Sequence, residues 1–196
     1  MKIKCFGASL LAVGLVSQSF SITFGPTVTV DGNSYTVGGG AGVNGISVQQ
    51  VGNTLAFALP NAVAVGSNKS LLLEYSVFAD PGNYLTSISQ ISGNGIASGT
   101  ASVDVSTSFF GAINETAPTI NYPSGSSFPT FHYSFTSSPT QWSPVKTTID
   151  LNGVGGIAKL STYNANYSQA PVPEPVSMIV LASGLGAMLL RRKGAK

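Results

Sequence analysis

Hydrophobic residues alternate with small polar residues through most of the segment between residues 22 and 170. In the stretch Leu71–Phe78, the side chains of Leu71, Leu73, Tyr75 and Val77 fall on one side of an extended chain. Because successive side chains of a strand point to opposite faces, this period of two predicts a β-strand with one buried face. No long window in the segment shows the period of 3.6 residues that is typical of a helix.

Similar alternating runs are separated by residues that favour turns. Asp31-Gly32 and Gly52-Asn53 are typical of β-hairpin turns, because glycine adopts positive φ without steric cost. The run from Ile96 to Phe110 predicts one long strand, whose buried face carries Ala101, Val103, Val105, Thr107 and Phe109. Asn114 to Pro129 contains three prolines and predicts a loop. Ile157 to Tyr163 predicts the last strand before a connection into the C-terminal tail.

About nine or ten short strands with turn signals between them predict an all-β domain over residues 22–170. The fold class that this pattern favours is an antiparallel β-sandwich, either Ig-like or jelly-roll. A segment of about 150 residues is long enough to bury one adequate core.

The N-terminus has the three parts of a secretory signal peptide. A basic start, Met1–Lys4, precedes the apolar run Phe6–Val16, and small residues then allow cleavage after about Ser19 or Ser21. We therefore expect residues 1–21 to direct export through the Sec machinery. A retained N-terminal anchor is the alternative, which the short apolar run disfavours. Cys5 precedes the apolar run, whereas the lipid-modified cysteine of a lipoprotein would follow it. Because Cys5 is the single cysteine and lies in the signal peptide, the mature protein is expected to contain no cysteine.

The C-terminal segment, residues 171–196, also has three ordered parts. Val172-Pro173-Glu174-Pro175 is followed by the uncharged run Val176–Leu190 and then by Arg191-Arg192-Lys193. As a helix, the uncharged run would span roughly 22 Å against roughly 30 Å of bilayer hydrocarbon, which is short for a permanent span. The basic cluster would remain on the cytoplasmic side. The two prolines hold Glu174 in extended, exposed backbone just outside the membrane.

This tail resembles the PEP-CTERM sorting signal of Gram-negative bacteria in its motif Val172, Pro173, Glu174 and Pro175, its apolar helix and its basic stop of Arg191, Arg192 and Lys193. The resemblance implies processing by an exosortase, a membrane-embedded cysteine protease or transpeptidase. It also implies transient residence in the inner membrane through Val176–Leu190, and then association with extracellular polysaccharide and biofilm matrix at the cell surface. A simple tail anchor is the alternative, but it would not require Pro-Glu-Pro.

Charge is scarce in the segment between the two targeting signals. Residues 22–170 contain three lysines and six acidic residues, a net charge of −3 with histidine neutral. Nucleic-acid binding needs clustered basic residues, so it is not expected here. Serine, threonine, asparagine and glycine supply the polarity instead, which suits contact with neutral polymers outside the cell. Such a composition is also common among exported β proteins that bind no polymer.

The sequence shows no constellation of residues that predicts catalysis, a metal or a cofactor. His132 is the single histidine, and strand alternation turns it away from Phe131, Tyr133 and Phe135. The acidic residues are scattered along the chain. Two fragments resemble parts of calcium loops but lack the spacing of an EF-hand, so they are predicted to be turns: Asp31-Gly32-Asn33 and Asp80-Pro81-Gly82-Asn83.

Three functions remain open at this point. The first is a non-enzymatic, exported surface or matrix protein. The second is a carbohydrate-binding module of the same matrix, which an exposed row of aromatic side chains would support. Trp142, Tyr122 and Tyr133 are candidates, although packing in the core or at a sheet edge explains them better. The third is a secreted hydrolase, which would need two inward-facing carboxylates in one cleft.

Overall fold

A computed structural model describes residues 21–92, 95–125, 130–137 and 139–172. The predicted signal peptide, apart from Ser21, and the tail from Pro173 to Lys196 lie outside the described residues. Fifteen strands and one short 3₁₀ turn, Val43–Gly45, make up the described part. The strands are β1 (Thr23–Phe24), β2 (Thr27–Val30), β3 (Asn33–Thr36), β4 (Ser47–Val51), β5 (Thr54–Ala58), β6 (Val63–Val65), β7 (Asn68–Phe78), β8 (Asn83–Ser92), β9 (Gly95–Gly99), β10 (Ser102–Phe109), β11 (Glu115–Pro123), β12 (Phe131–Ser134), β13 (Trp142–Asn152), β14 (Gly156–Leu160) and β15 (Thr162–Pro171).

The strands form three antiparallel sheets. The large sheet has the order β11-β10-β13-β7-β2-β3, with β1 pairing on β7. The second sheet has the order β12-β8-β15-β5-β4, and the small sheet has the order β6-β14-β9. Among the residues that the structure describes, no helix is long and apolar enough to cross a membrane. The predicted helix Val176–Leu190 lies outside those residues.

The large and second sheets pack face to face. The ring centroids of Phe57 in β5 and Tyr75 in β7 are 5.8 Å apart, and the hydroxyl groups of Tyr75 and Tyr167 are 2.9 Å apart. The Nε2 of Gln90 in β8 donates a hydrogen bond of 2.7 Å to the Oγ1 of Thr107 in β10. Side chains from the two sheets therefore share one core, which confirms the predicted all-β antiparallel sandwich.

The predicted buried faces are confirmed on several strands. Leu71, Leu73, Tyr75 and Val77 are all buried, as are Ala101, just before β10, and the alternate residues of β10, namely Val103, Val105, Thr107 and Phe109. Both predicted hairpins are present, since Asp31-Gly32 joins β2 to β3 and Gly52-Asn53 joins β4 to β5. Asp31, Gly32 and Gly52 have the positive φ that such tight turns require.

The prediction of one strand from Ile96 to Phe110 is wrong. The chain turns after Gly99, whose φ is +67°, so that β9 joins the small sheet and β10 joins the large one. Alternation continues through the turn, because Ala101 is buried with the residues of β10. The pattern therefore contained no signal of the break except the glycine itself.

The prediction of a loop from Asn114 to Pro129 is also wrong over most of its length. Glu115–Pro123 is a strand at the edge of the large sheet. Its register against β10 shifts between Val105 and Thr107, and Pro118 lies at this irregularity. Edge strands and bulges accept proline because no ladder hydrogen bond is required from its nitrogen.

The last predicted strand divides into two. β14 ends at Leu160, and β15 runs from Thr162 to Pro171 in the middle of the second sheet. Ser161 lies between them, and its carbonyl oxygen accepts a hydrogen bond of 2.7 Å from the nitrogen of Leu59. The segment expected to lead into the tail is therefore a central strand.

Candidate binding surface

The candidate site lies on the outer face of the large sheet, where β7 and β13 are neighbours. Strand alternation turns every second residue of both strands to this face. Three cross-strand pairs follow one another along it, namely Phe78–Trp142, Ser76–Pro144 and Glu74–Lys146. The sequence of pairs is thus aromatic, then small, then charged.

The aromatic pair is exposed to solvent. The rings of Phe78 and Trp142 are stacked, with centroids 6.4 Å apart and planes inclined by 18°. Trp142 is 50% exposed and Phe78 is 37% exposed, while Phe110, which follows β10, is 44% exposed. We call these three residues the aromatic surface. Aromatic side chains supply much of the energy of interfaces, so an exposed stacked pair is a candidate contact for a ligand.

Short backbone contacts hold this end of the sheet. The nitrogen of Ala79 donates a hydrogen bond of 2.7 Å to the carbonyl oxygen of Gln141, and the nitrogen of Phe110 donates one of 3.0 Å to the carbonyl oxygen of Pro144. The Oγ1 of Thr140 also donates to the carbonyl oxygen of Trp142. The three rings are therefore carried by backbone that is fixed in the sheet.

A groove of about 350 Å³ lies beside the aromatic surface. Its lining residues are Thr27, Thr29, Glu74, Tyr75, Ser76, Phe110, Pro144, Val145 and Lys146. It is an open depression in the sheet surface rather than an enclosed pocket. We call this feature the groove.

The polar end of the groove is formed by a weak ion pair. The Nζ of Lys146 lies 3.9 Å from the Oε1 of Glu74, and the two side chains are 44% and 48% exposed. The Oγ1 of Thr29 donates a hydrogen bond of 3.2 Å to the Oε2 of Glu74. Exposed pairs of this kind contribute little to stability. Both charged groups therefore keep hydrogen-bonding capacity for a ligand.

The three aromatic residues singled out from the sequence do not converge. Tyr122 is buried in the core. Tyr133 is half-buried, and its hydroxyl donates a hydrogen bond of 2.9 Å to Glu115 Oε2. Trp142 alone belongs to the aromatic surface; its partners Phe78 and Phe110 were missed. The alternation of β7 did carry a signal for Phe78, because it places this residue on the same face as Glu74.

Two carboxylates meet on the same outer face, some distance along the sheet. Asp104 and Asp150 are direct cross-strand partners, and Asn121 donates a hydrogen bond to Asp104. Lys69 also lines the hollow that they share. The pair faces outward on a sheet surface, which is not the inward arrangement that a hydrolase of the predicted kind would need.

His132 lies on the outer face of the second sheet. Its side chain is exposed and points away from Phe131 and Tyr133, as predicted. Its Nδ1 lies 2.9 Å from Ser89 Oγ, and its Nε2 lies 3.3 Å from Ser134 Oγ. Within the described ranges, none of its hydrogen-bond partners is a carboxylate, and no three His, Cys, Asp or Glu side chains cluster as metal ligands.

The two fragments that resemble calcium loops have structural partners. The Oδ1 of Asp31 accepts a hydrogen bond of 2.8 Å from the nitrogen of Leu72. The Oδ2 of Asp80 accepts bonds from the nitrogen of Ser21, at 2.7 Å, and from Nε2 of Gln169, at 3.2 Å. Both acidic residues therefore stabilise turns and connections of the fold.

The two ends of the described chain meet at the turn that follows Phe78. Ser21 and Gln169 both contact Asp80, and the nitrogen of Val172 donates a hydrogen bond of 2.8 Å to the carbonyl oxygen of Gly82. Val172 is exposed and is the one residue of the predicted sorting motif that the structure describes. Outside the described residues lie Pro173, Glu174, Pro175, Arg191, Arg192 and Lys193.

Comparison with known proteins gives no family for this chain. No family model matches it, and no curated protein does. Among solved structures, it is similar to the enzymatically active domain of tailspike protein 4 of bacteriophage CBA120, at 12% identity and a TM-score of 0.29, over 79% of this chain and 20% of that one. It is also similar to a family 35 carbohydrate-binding module from an environmental isolate, at 13% identity and a TM-score of 0.24, over 80% and 98%. The superpositions are too poor to carry either protein's activity to this chain.

Proposed function

We propose that this chain is an exported, non-enzymatic surface or matrix protein that binds polysaccharide through its aromatic surface. The observation that carries the proposal is the stacked, exposed pair of Phe78 and Trp142 beside the groove. The C–H faces of sugar rings are apolar, while their edges carry hydroxyl groups. Exposed aromatic rings next to polar side chains therefore match both parts of a sugar unit.

The charges in the groove agree with a neutral ligand. The groove contains one carboxylate and one ammonium group, which offset each other. A ligand with hydroxyl groups can accept from Lys146 and donate to Glu74 without bringing a charge of its own into the site.

We propose further that residues 171–196 act as the sorting signal, with exosortase as the processing enzyme and the inner membrane as a transient location. The exposure of Val172, the first residue of the motif, supports this, because a processing enzyme must reach the motif from solvent. The Ig-like or jelly-roll topology of the sandwich stays a prediction.

The binding proposal is tested by affinity electrophoresis of purified residues 21–172 in gels that contain hydroxyethylcellulose, laminarin, galactomannan, dextran or polysaccharide extracted from the host. We expect at least one polymer to slow the protein, and Trp142→Ala to abolish the effect. Lys159→Met, a change on the small sheet, serves as a control for surface substitution. Equal mobility in every gel, or equal slowing of the Trp142→Ala variant, would contradict the proposal.

A lipid surface is the competing occupant of the aromatic surface. Sedimentation with vesicles of phosphatidylethanolamine and phosphatidylglycerol separates the two. Binding to vesicles that depends on Trp142, without slowing by any polymer, would replace polysaccharide with membrane as the ligand.

The sorting proposal is tested by intact mass spectrometry of full-length protein recovered from its host, beside a Glu174→Ala variant. We expect the wild type to lose the residues that follow the Pro-Glu-Pro motif and the variant to keep them. A mass that ends at Lys196 in both would identify the segment as a tail anchor.

A further inference from the structure

The path along β7 and β13 from the aromatic pair to the charged pair is longer than one sugar unit. Along β13, Trp142 and Lys146 are four residues apart, which corresponds to about 13 Å at about 3.3 Å per residue. A pyranose ring with its glycosidic oxygen spans three or four single bonds, about 5 Å when each bond is near 1.5 Å. The distance from the aromatic pair to the charged pair therefore accommodates about two to three consecutive units.

The path lies on an open surface. Ser76 and Pro144 are flanked along the strands by the two other pairs, and the groove that they line is an open depression rather than an enclosed pocket. Such a surface does not require a chain end, so the ligand can be a segment of a longer polymer.

The two ends of this path differ in chemistry. At one end the exposed rings of Phe78 and Trp142 offer apolar surface. At the other end Glu74 offers acceptor oxygens and Lys146 offers ammonium donors, with Thr29 bonded to Glu74. One sugar unit placed on the rings leaves its neighbour over Ser76 and Pro144, and the next within reach of the charged pair.

We propose that this path, from Phe78 and Trp142 to Glu74 and Lys146, recognises about two to three consecutive, uncharged pyranose units in the interior of a linear polysaccharide, with Glu74 and Lys146 as the residues that determine specificity. This inference rests on the proposed polysaccharide binding. It adds the length of the recognised segment, the interior position of that segment in the polymer, and the hydroxyl contacts at the polar end.

The test is isothermal titration of the protein purified from its host with glucose oligomers of one to five units, in β-1,4 and β-1,3 linkage. We expect affinity to rise up to the trimer and then to level. Glu74→Ala and Lys146→Met each remove about one hydrogen bond to the ligand. We therefore expect a roughly threefold to tenfold weaker affinity for the trimer, with little change in the affinity for the monomer. Asp150→Ala and Lys159→Met are the matched controls.

The outcomes separate this inference from the function on which it rests. If Trp142→Ala abolishes polymer binding while Glu74→Ala and Lys146→Met match the controls, the aromatic surface binds sugar and the extended path is wrong. Equal affinity for monomer and trimer would also overturn it. If no oligomer or polymer binds at all, the proposed polysaccharide binding itself fails.

Discussion

Glu115 joins the outer strands of the two packed sheets, and its replacement gives a measurable test of the fold. This residue begins β11 at the edge of the large sheet. Its carboxylate accepts hydrogen bonds from the nitrogen of Thr136 at 3.0 Å, from Thr136 Oγ1 at 2.9 Å and from the hydroxyl of Tyr133 at 2.9 Å. Tyr133 lies in β12, at the edge of the second sheet, and Thr136 lies in the segment that follows β12. The carboxylate therefore links the edge strand of the large sheet to the edge strand of the second sheet and to the segment that follows it.

The pKa of Glu115 reflects these bonds. Partial burial raises the pKa of its carboxyl group, but the hydrogen bonds from Thr136 and Tyr133 favour the charged form more strongly, so the net result is a lowered pKa. A hydrogen bond to a charged group contributes about 1 kcal/mol more than a neutral one. Three such bonds, discounted for partial exposure, predict that Glu115→Gln lowers the free energy of unfolding by about 1–2 kcal/mol at pH 7.

Urea unfolding of the two proteins at several pH values measures this effect. Because the folded-state pKa lies below the unfolded value of about 4.3, the carboxylate's contribution is complete above that pH and is lost as pH falls through the folded-state pKa. The difference between wild type and Glu115→Gln should therefore shrink in acid. Glu74→Gln, on the open face, is the matched control. Equal stabilities at pH 7, or a difference that persists unchanged at pH 2, would refute the reasoning.

Two further predictions concern the core and the small sheet. Burial, more than any neighbouring charge, raises the pKa of Tyr75, Tyr167 and Tyr163, the last to about 12. Because the tyrosine hydroxyls of the unfolded chain ionise at about pH 10, the free energy of unfolding should fall as pH rises above that value. Unfolding that coincides with the rise of tyrosinate absorbance would confirm this prediction. Gly99→Ala should cost about 2 kcal/mol or more, because φ is positive and the new Cβ would collide with the carbonyl oxygen of Gly155. Gly66 also has positive φ, but a new Cβ there would meet no atom, so Gly66→Ala should lower the free energy of unfolding by only about 1 kcal/mol. Thermal unfolding measures both variants, and equal losses of stability would contradict the predicted collision at Gly99.

Local pattern predicted much of the fold because burial and strand alternation are local properties. The spacing of Leu71, Leu73 and Val77 was enough to assign them to a buried face. Asp31-Gly32 could be assigned to a hairpin turn because this residue pair accepts the positive φ that the turn requires. Pro118 misled the prediction, because proline excludes a central strand but not an edge strand or a bulge. Edge position depends on which strands pair, and that is decided by contacts between distant residues.

The binding surface was less predictable for the same reason. Phe78 and Trp142 are far apart in sequence and become neighbours through the register of β7 against β13. The sequence identified Trp142 as a candidate but could not supply its partner. Tyr122 and Tyr133 have the same chemistry, yet the first is buried and the second is bonded to Glu115. Exposure, rather than residue type, separates the aromatic surface from the core.

The central claim is that polysaccharide lies on the aromatic surface, and the fluorescence of Trp142 tests it most directly. Trp142 is the single tryptophan of the chain and is half exposed, so its emission reports this surface alone. We predict that titration with the polymer that slows the protein in gels shifts the emission to shorter wavelength with saturation and protects the indole from acrylamide quenching. Emission and quenching that stay unchanged while the polymer is bound would place the ligand elsewhere and contradict the account.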